Sequence, residues 1–386
     1  MSSLSLARLL FAVTAGTHFL FVSLTLGLAT LVAITQTRAV VKDSPVLQGM
    51  VRFWGQLYVI NYAVGIVTGL LMEFQFGLNW PGLTDHATDV FGAPLAMETL
   101  VAFFVESTFL GLWIFGWDRL NRYAHLALIW VVTLTAYLSA YFILVANGFL
   151  NNPVGYLRVG GELRVDSAAK LFTNPAALLP LAHIVSGAFL VAGFFMAGIS
   201  AWHLRRSGDE EFFRRSLRTG LIAVVAAIVP SIAFGIPQFD YTHGNETVLG
   251  VVASYVMMFA WLAMFGVAVV ALVKIIVPRR LLRGRFFHAV LLRVIGAPYL
   301  AMLGGWIFRE SSRQPWLIYG VLRTKDAVRP MNPAAMASVT AGVTALFLVL
   351  AVVNIGLLRR YARLGLEGAT LGRVETVGHP EPVPSF

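Results

Sequence analysis

The sequence predicts an all-α, polytopic membrane protein with nine transmembrane helices. Three observations predict it. Of 386 residues, 58% are hydrophobic and only 12% charged, and the mean hydropathy is +0.76, a balance that soluble globular domains do not carry. Window after window supplies the roughly 20 apolar residues that an α-helix needs to cross hydrocarbon. None of these windows alternates apolar and polar residues as a barrel strand does.

Hydropathy places the spans near residues 6–35, 53–73, 94–116, 125–147, 176–203, 219–235, 249–274, 286–309 and 333–358. The first apolar run, Leu4 to Ile34, is too long for a signal-peptide core and has no cleavage-like polar exit, so it is expected to be retained. An odd number of spans puts the termini on opposite sides. Eighteen lysines and arginines follow the odd-numbered spans, against nine on the other side. That excess predicts an outer N-terminus and a cytoplasmic C-terminus. Residues 1–365 are expected to form one nine-helix domain, and 366–386, ending in HPEPVPSF, a short disordered cytoplasmic tail.

The net charge of +10 sits in clusters between spans, where it encodes topology, so nucleic acid is excluded as a partner. With no cysteine in the chain, disulfides, thiolate metal sites and covalent Cys-x-x-Cys-His haem attachment are excluded too.

Glu98 and Glu106 lie in the run AMETLVAFFVESTFLGLWIFG without a basic residue between them. An ionisable group at the centre of a membrane helix costs about 2.5–3.5 kcal/mol, so it normally faces a cavity, a cofactor or a proton path. On a regular helix the two are separated by about 12 Å of rise and about 80° of rotation, a gap that waters or a hydroxyl bridge. They suit two stations of one proton route. His183 and Met257 each lie seven or eight residues inside their spans from the same side, at a shared depth of roughly 10 to 12 Å. A histidine and a methionine meeting from opposite sides satisfy both axial positions of a haem iron. A hydrogen-bonded core histidine and space-filling methionines are the plainer alternative. Met258 points about 100° away from Met257. His18, in the first span, reads either as a ligand or as a partnered core histidine. Glu310 closes the eighth span in GGWIFRESSRQPWLIYG. There Trp306 and Trp316 read as interfacial anchors, and Arg309 and Arg313 as partners for the carboxylate or for haem propionates.

The stretches HFLFVSLTLG, TGLLMEFQFGLNW, DVFGAPLAMETLVAFFVESTFLGLWIFGWDRL, LSAYFILVANGFLNNP, AHIVSGAFLVAGFFMAGISAW and GGWIFRESSRQPW resemble subunit I of the cytochrome bd family of terminal oxidases, over nearly all nine spans. The resemblance implies that His183 and Met257 ligate a low-spin haem b. It implies that His18 and Glu310 ligate the two haems of an oxygen-reducing site, a high-spin haem b with haem d or a further haem b. Arg8, Arg313 and Trp306 are expected around these cofactors. Glu98 would then lie beside the oxygen-reducing haem, with Glu106, Ser139 and Asp118 tracing a proton route from the cytoplasm. The implied activity is reduction of O2 to water with electrons from quinol, in a bacterial or archaeal cytoplasmic membrane, together with a homologous subunit II and small accessory subunits.

Two departures stand out. The long hydrophilic loop that quinol-oxidising members carry between spans six and seven is replaced by GIPQFDYTHGNET, where Asp240, His243 and Glu246 are the polar residues left to replace it. Tyr255 stands two residues before Met257, where better-known members usually place an arginine. Cytochrome c, or another one-electron carrier, is therefore the alternative donor. A non-catalytic haem electron-transfer subunit and a proton-coupled transporter are the competing classes. Against the transporter stands the lack of repeat symmetry and of paired broken helices.

Overall fold

The computed structural model describes residues 2–206, 209–243, 247–276 and 284–372. The first helix, α1 (Ser3–Lys42), has 40 residues and starts where the Ser2 hydroxyl accepts from the Ser5 amide. At 1.5 Å per residue it measures about 60 Å, twice the hydrocarbon thickness. Asp43, with φ 44°, turns the chain into α2 (Pro45–Asn79), whose first-turn proline needs no amide partner. Next comes α3 (Pro81–Phe115), interrupted by π-helical turns at Thr88–Gly92 and Glu98–Phe103. Asn121 caps α4 (Arg122–Asn151), Asn174 caps α5 (Pro175–Leu204), and Asp209 caps α6 (Glu210–Gly235). The bundle is completed by α7 (Val248–Ile276), α8 (Arg285–Ser312) and α9 (Pro333–Leu364). Among the described residues, these nine helices are the ones long and apolar enough to cross a membrane.

The helices overrun their hydropathy-predicted spans at most ends because backbone hydrogen bonding continues where apolar character stops. That matters most in α2, which runs six residues beyond the predicted end at 73. Two small antiparallel hairpins decorate the end of the bundle where α1 begins. β1 (Tyr156–Val159) pairs with β2 (Glu162–Val165), and β3 (Trp316–Ile318) with β4 (Leu322–Arg323).

Helices in lipid gain little from mutual apolar burial, so close approach through small residues holds the bundle together. At the α5–α6 crossing, a Cβ added to Gly193 would sit 2.7 Å from the Gly220 carbonyl oxygen, and one added to Gly220 would sit 2.6 Å from that of Gly193. A side chain at Gly27 would run into the Ala188 carbonyl, which brings α1 against α5. α5 is consequently central, with 78% of its apolar window buried against 17% for α3 and α9.

Past α9, Gly365–Gly368 makes a 3-10 turn. Arg52 Nη1 then donates to the Leu371 carbonyl at 2.6 Å, and the Thr370 amide donates to Gln56 Oε1 at 2.8 Å. Ordered chain thus runs beyond residue 365. The rest of the expected tail, 373–386, lies outside the described residues, as do Glu246 and the topogenic Arg279, Arg280 and Arg283.

Candidate functional site

A cavity of about 1510 Å³ runs through the half of the bundle nearer the hairpins, lined from eight of the nine helices, all but α9. It exceeds the ≈ 300–1,000 Å³ of ordinary ligand pockets, which leaves room for more than one large planar group. His18, Glu98, Glu106, Ser139, His183, Met257, Trp306, Glu310, Arg313 and Arg8 all line it. Ten of the eleven residues expected to hold the haems or carry protons thus share one space. The exception is Asp118, which is exposed in the turn after α3, away from the lining.

His183 Nδ1 lies 2.7 Å from the Ser231 carbonyl oxygen. A carbonyl only accepts, so Nδ1 carries the proton and Nε2 keeps its lone pair, the tautomer of a metal-ligating histidine. His18 reaches the same state by another route. Its Nδ1 is 3.1 Å from Thr68 Oγ1, whose own hydrogen goes to the Val64 or Gly65 carbonyl. The ring therefore donates through Nδ1 and presents a bare Nε2. Glycine flanks each donor: Gly235 beside the His183 ring, Gly69 beside His18, and Gly305 beside Met257, where an added Cβ would sit 3.0 Å from the thioether sulfur. Met257 is half-buried, whereas Met258 is exposed.

Glu310 accepts from Asn147 Nδ2 at 2.9 Å through Oε1 and is ion-paired with Arg313 through Oε2. Each oxygen keeps a second lone pair. Arg313 also donates to the Leu317 carbonyl, yet its Nε is buried with no partner. Arg309 is tied to Asn147 Oδ1 at 3.2 Å and to the Ala176 carbonyl at 2.8 Å. At the rim, exposed Arg8 donates to Gln314 Oε1 at 2.8 Å. Trp306, which the sequence offers both as an interfacial anchor and as a neighbour of the cofactors, lines the cavity against Gly16 of α1.

The acids form a cluster of their own. Ser139 Oγ donates to Glu98 Oε1 at 2.5 Å. Thr99 Oγ1 lies 2.7 Å from Glu73 Oε1 and 3.2 Å from Glu98 Oε2, so a single hydroxyl links two carboxylates. Glu106 is 6% exposed and faces the same cavity. Because Glu98–Phe103 is a π turn, with i→i+5 bonding, the 80° rotation of a regular helix does not describe Glu98 relative to Glu106.

Glu73 and Asn147 are site residues that sequence reasoning missed. Glu73 is the sole acid of α2, and the rule that singled out Glu98 applies equally to it. The hydropathy-predicted span ends at residue 73, so Glu73 falls at its edge rather than inside an apolar run, whereas the helix continues to Asn79. Nothing in the local sequence marks Asn147.

The donor set fits haem. Among the described residues no group of three or more histidines, aspartates or glutamates could hold a bare metal ion. The histidines stand singly with one free nitrogen each, which suits a macrocycle that brings its own equatorial donors, and the orphaned Arg313 Nε suits an acidic substituent.

The family described as cytochrome bd terminal oxidase subunit I matches residues 6–248 and 235–366. The chain is 32% identical to cytochrome bd ubiquinol oxidase subunit 1 of Bacillus subtilis, with 89% of this chain and 88% of the relative covered. It is 44% identical to cytochrome bd-II ubiquinol oxidase subunit 1 of Escherichia coli over 60% of this chain and 46% of that one. In fold it is similar to the bd oxidase structure from Geobacillus thermodenitrificans, with a TM-score of 0.84, 24% identity and coverage of 94% of this chain and 98% of that one. A match along nearly the whole chain, on a nine-helix bundle, makes this protein a member of the cytochrome bd terminal oxidase subunit I family, the haem-binding membrane subunit of a respiratory oxidoreductase.

Proposed function

We propose that this subunit reduces O2 to water with electrons from quinol and protons drawn from the cytoplasmic side. The observation that carries the reading is the single cavity in which two histidines with free Nε2 atoms meet a linked pair of carboxylates. His183 and Met257 would hold a low-spin haem b; His18 and Glu310 would hold a high-spin haem b and either haem d or a further haem b. When bound, these groups supply redox-active iron for electron transfer and for dioxygen.

The chain's own residues handle the protons. Four are needed for each O2. Asp118, exposed at the basic end, is the entry, Glu106 the buried station, and Glu98 the last carrier. The Ser139 hydroxyl, donating to Glu98 Oε1, holds that carboxylate in place. Glu73 shares the Thr99 hydroxyl with it, so a proton arriving at either acid can be redistributed without a long jump. Arg313 and Asn147 hold Glu310, and the apolar walls keep bulk water from short-circuiting the route. The excess of basic residues at the end where α1 finishes supports placing that end in the cytoplasm.

Substituting Glu98 by Gln should lower oxygen uptake by about 10²–10⁴-fold, the usual worth of a proton-transferring side chain, with the haem spectrum retained. A passive electron conduit would keep its full flux. The curated relatives are named as ubiquinol and menaquinol oxidases, which favours quinol as donor and a homologous subunit II as partner. One observation favours a second reading, with cytochrome c as donor: the connection from α6 to α7 is a 3-10 turn, Ile236–Tyr241, and a few further residues. Oxygen uptake measured with reduced quinol and reduced cytochrome c offered separately decides between them.

A further inference from the structure

At the end of the bundle opposite the hairpins, a second cleft of about 450 Å³ opens between the C-terminal end of α5 and the first half of α8. Trp202, Ala289 and Leu292 make its apolar walls, and Arg205, Arg206 and Arg293 supply its charge. All three arginines are exposed, and none of them forms an ion pair among the described residues. Asp209, the nearest acid in sequence, accepts from the Phe212 amide at 3.0 Å. Two of the guanidinium groups are set in position. Arg205 Nη1 donates to the Arg285 carbonyl at 2.9 Å, and Arg206 stacks 4.4 Å from the centroid of the Trp202 ring. Arg293 faces them from α8.

Three like charges converging on one cleft repel one another unless an anion enters. A guanidinium fork matches phosphate oxygens in pairs. The walls are apolar, however, which suits a ligand whose charged head continues into hydrocarbon rather than a free ion. Basic pockets between helices at the cytoplasmic edge of a membrane hold lipid headgroups on these grounds. We propose that this cleft is a binding site for the phosphodiester headgroup of an anionic phospholipid, with its acyl chains running along α5 and α8. The site is separate from the redox cavity and shares no lining residue with it. It would seat a lipid at the junction of the central helix α5 with kinked α8, where a bound molecule braces the scaffold of His183 and Glu310 from the far end.

The test uses the intact purified oxidase in neutral detergent, with native mass spectrometry counting retained dioleoylphosphatidylglycerol or dioleoylphosphatidylcholine, and with inorganic phosphate as competitor. The expected result is preferential retention of phosphatidylglycerol that millimolar phosphate does not displace. Arg206→Gln and Arg293→Gln should each weaken retention about fivefold, as one lost charge implies, while Arg293→Lys keeps most of it. Unchanged spectra in the haem region report that the variants are folded. If a variant fails to fold, the salt dependence of retention in the unaltered protein replaces it: retention should fall steeply as salt rises. Equal retention of both lipids, displacement by phosphate, or undiminished retention in the double Gln variant would each overturn the proposal.

Discussion

Glu98 shows how much one position can ask of its neighbours. Its carboxylate sits on a π turn, accepts from Ser139 on α4, and is joined to Glu73 on α2 through the hydroxyl of Thr99. If that triad distributes protons, Glu73→Gln should slow turnover by about tenfold or more and Thr99→Val by less, with the haem content of the purified protein unchanged by pyridine haemochrome. Normal turnover in both variants would remove Glu73 from the route. At this scale the sequence was a partial guide. A charge inside an apolar run announces itself, so Glu98 and Glu106 were legible. Glu73 was obscured by its place at a hydropathy edge, and Asn147 by having no charge at all. The tautomers of His18 and His183 depend on backbone and hydroxyl partners on other helices, which no local pattern encodes.

Among the elements, α3 and α8 depart most from regular helices, and both departures serve the cavity. The π turn in α3 widens the helix at the acids, and the break between Val294 and Ala297 lets α8 swing Trp306, Arg309, Glu310 and Arg313 inward. Existence and order of all nine helices were readable from apolar run length, because the bilayer imposes that length. Helix ends, π turns and the 3-10 turn after α6 were not, since they follow hydrogen-bond geometry and capping rather than hydropathy. The glycine crossings were likewise invisible without knowing which helices meet. Gly220→Leu, which forces a side chain into the Gly193 carbonyl and Ala197 backbone, should destabilise the protein by about 1–3 kcal/mol as overpacking does. A lowered thermal midpoint in detergent checks this, and an unchanged midpoint would mean that the α5–α6 crossing relaxes freely.

For the whole molecule, charge and cavity are segregated along the bundle axis. The cavity lies toward the hairpin end, and most of the lysines and arginines lie at the other. That asymmetry predicts a cytoplasmic end after α9: a fluorescent protein fused there should be fluorescent, and alkaline phosphatase at the same place should be inactive. The reverse pair of results would invert the topology and the direction of proton supply. Exposed apolar residues on α7 and α9, such as Phe259, Leu262, Val349 and Val352, are the surfaces that lipid and a second subunit would cover.

The account stands or falls on His183 and Met257 gripping one iron from opposite helices. The most direct measurement is the reduced-minus-oxidised visible spectrum of the purified oxidase carrying His183→Ala, set beside the unaltered protein. The account predicts that the low-spin haem signal disappears while the high-spin signals remain. A low-spin signal of full amplitude in the variant would contradict it.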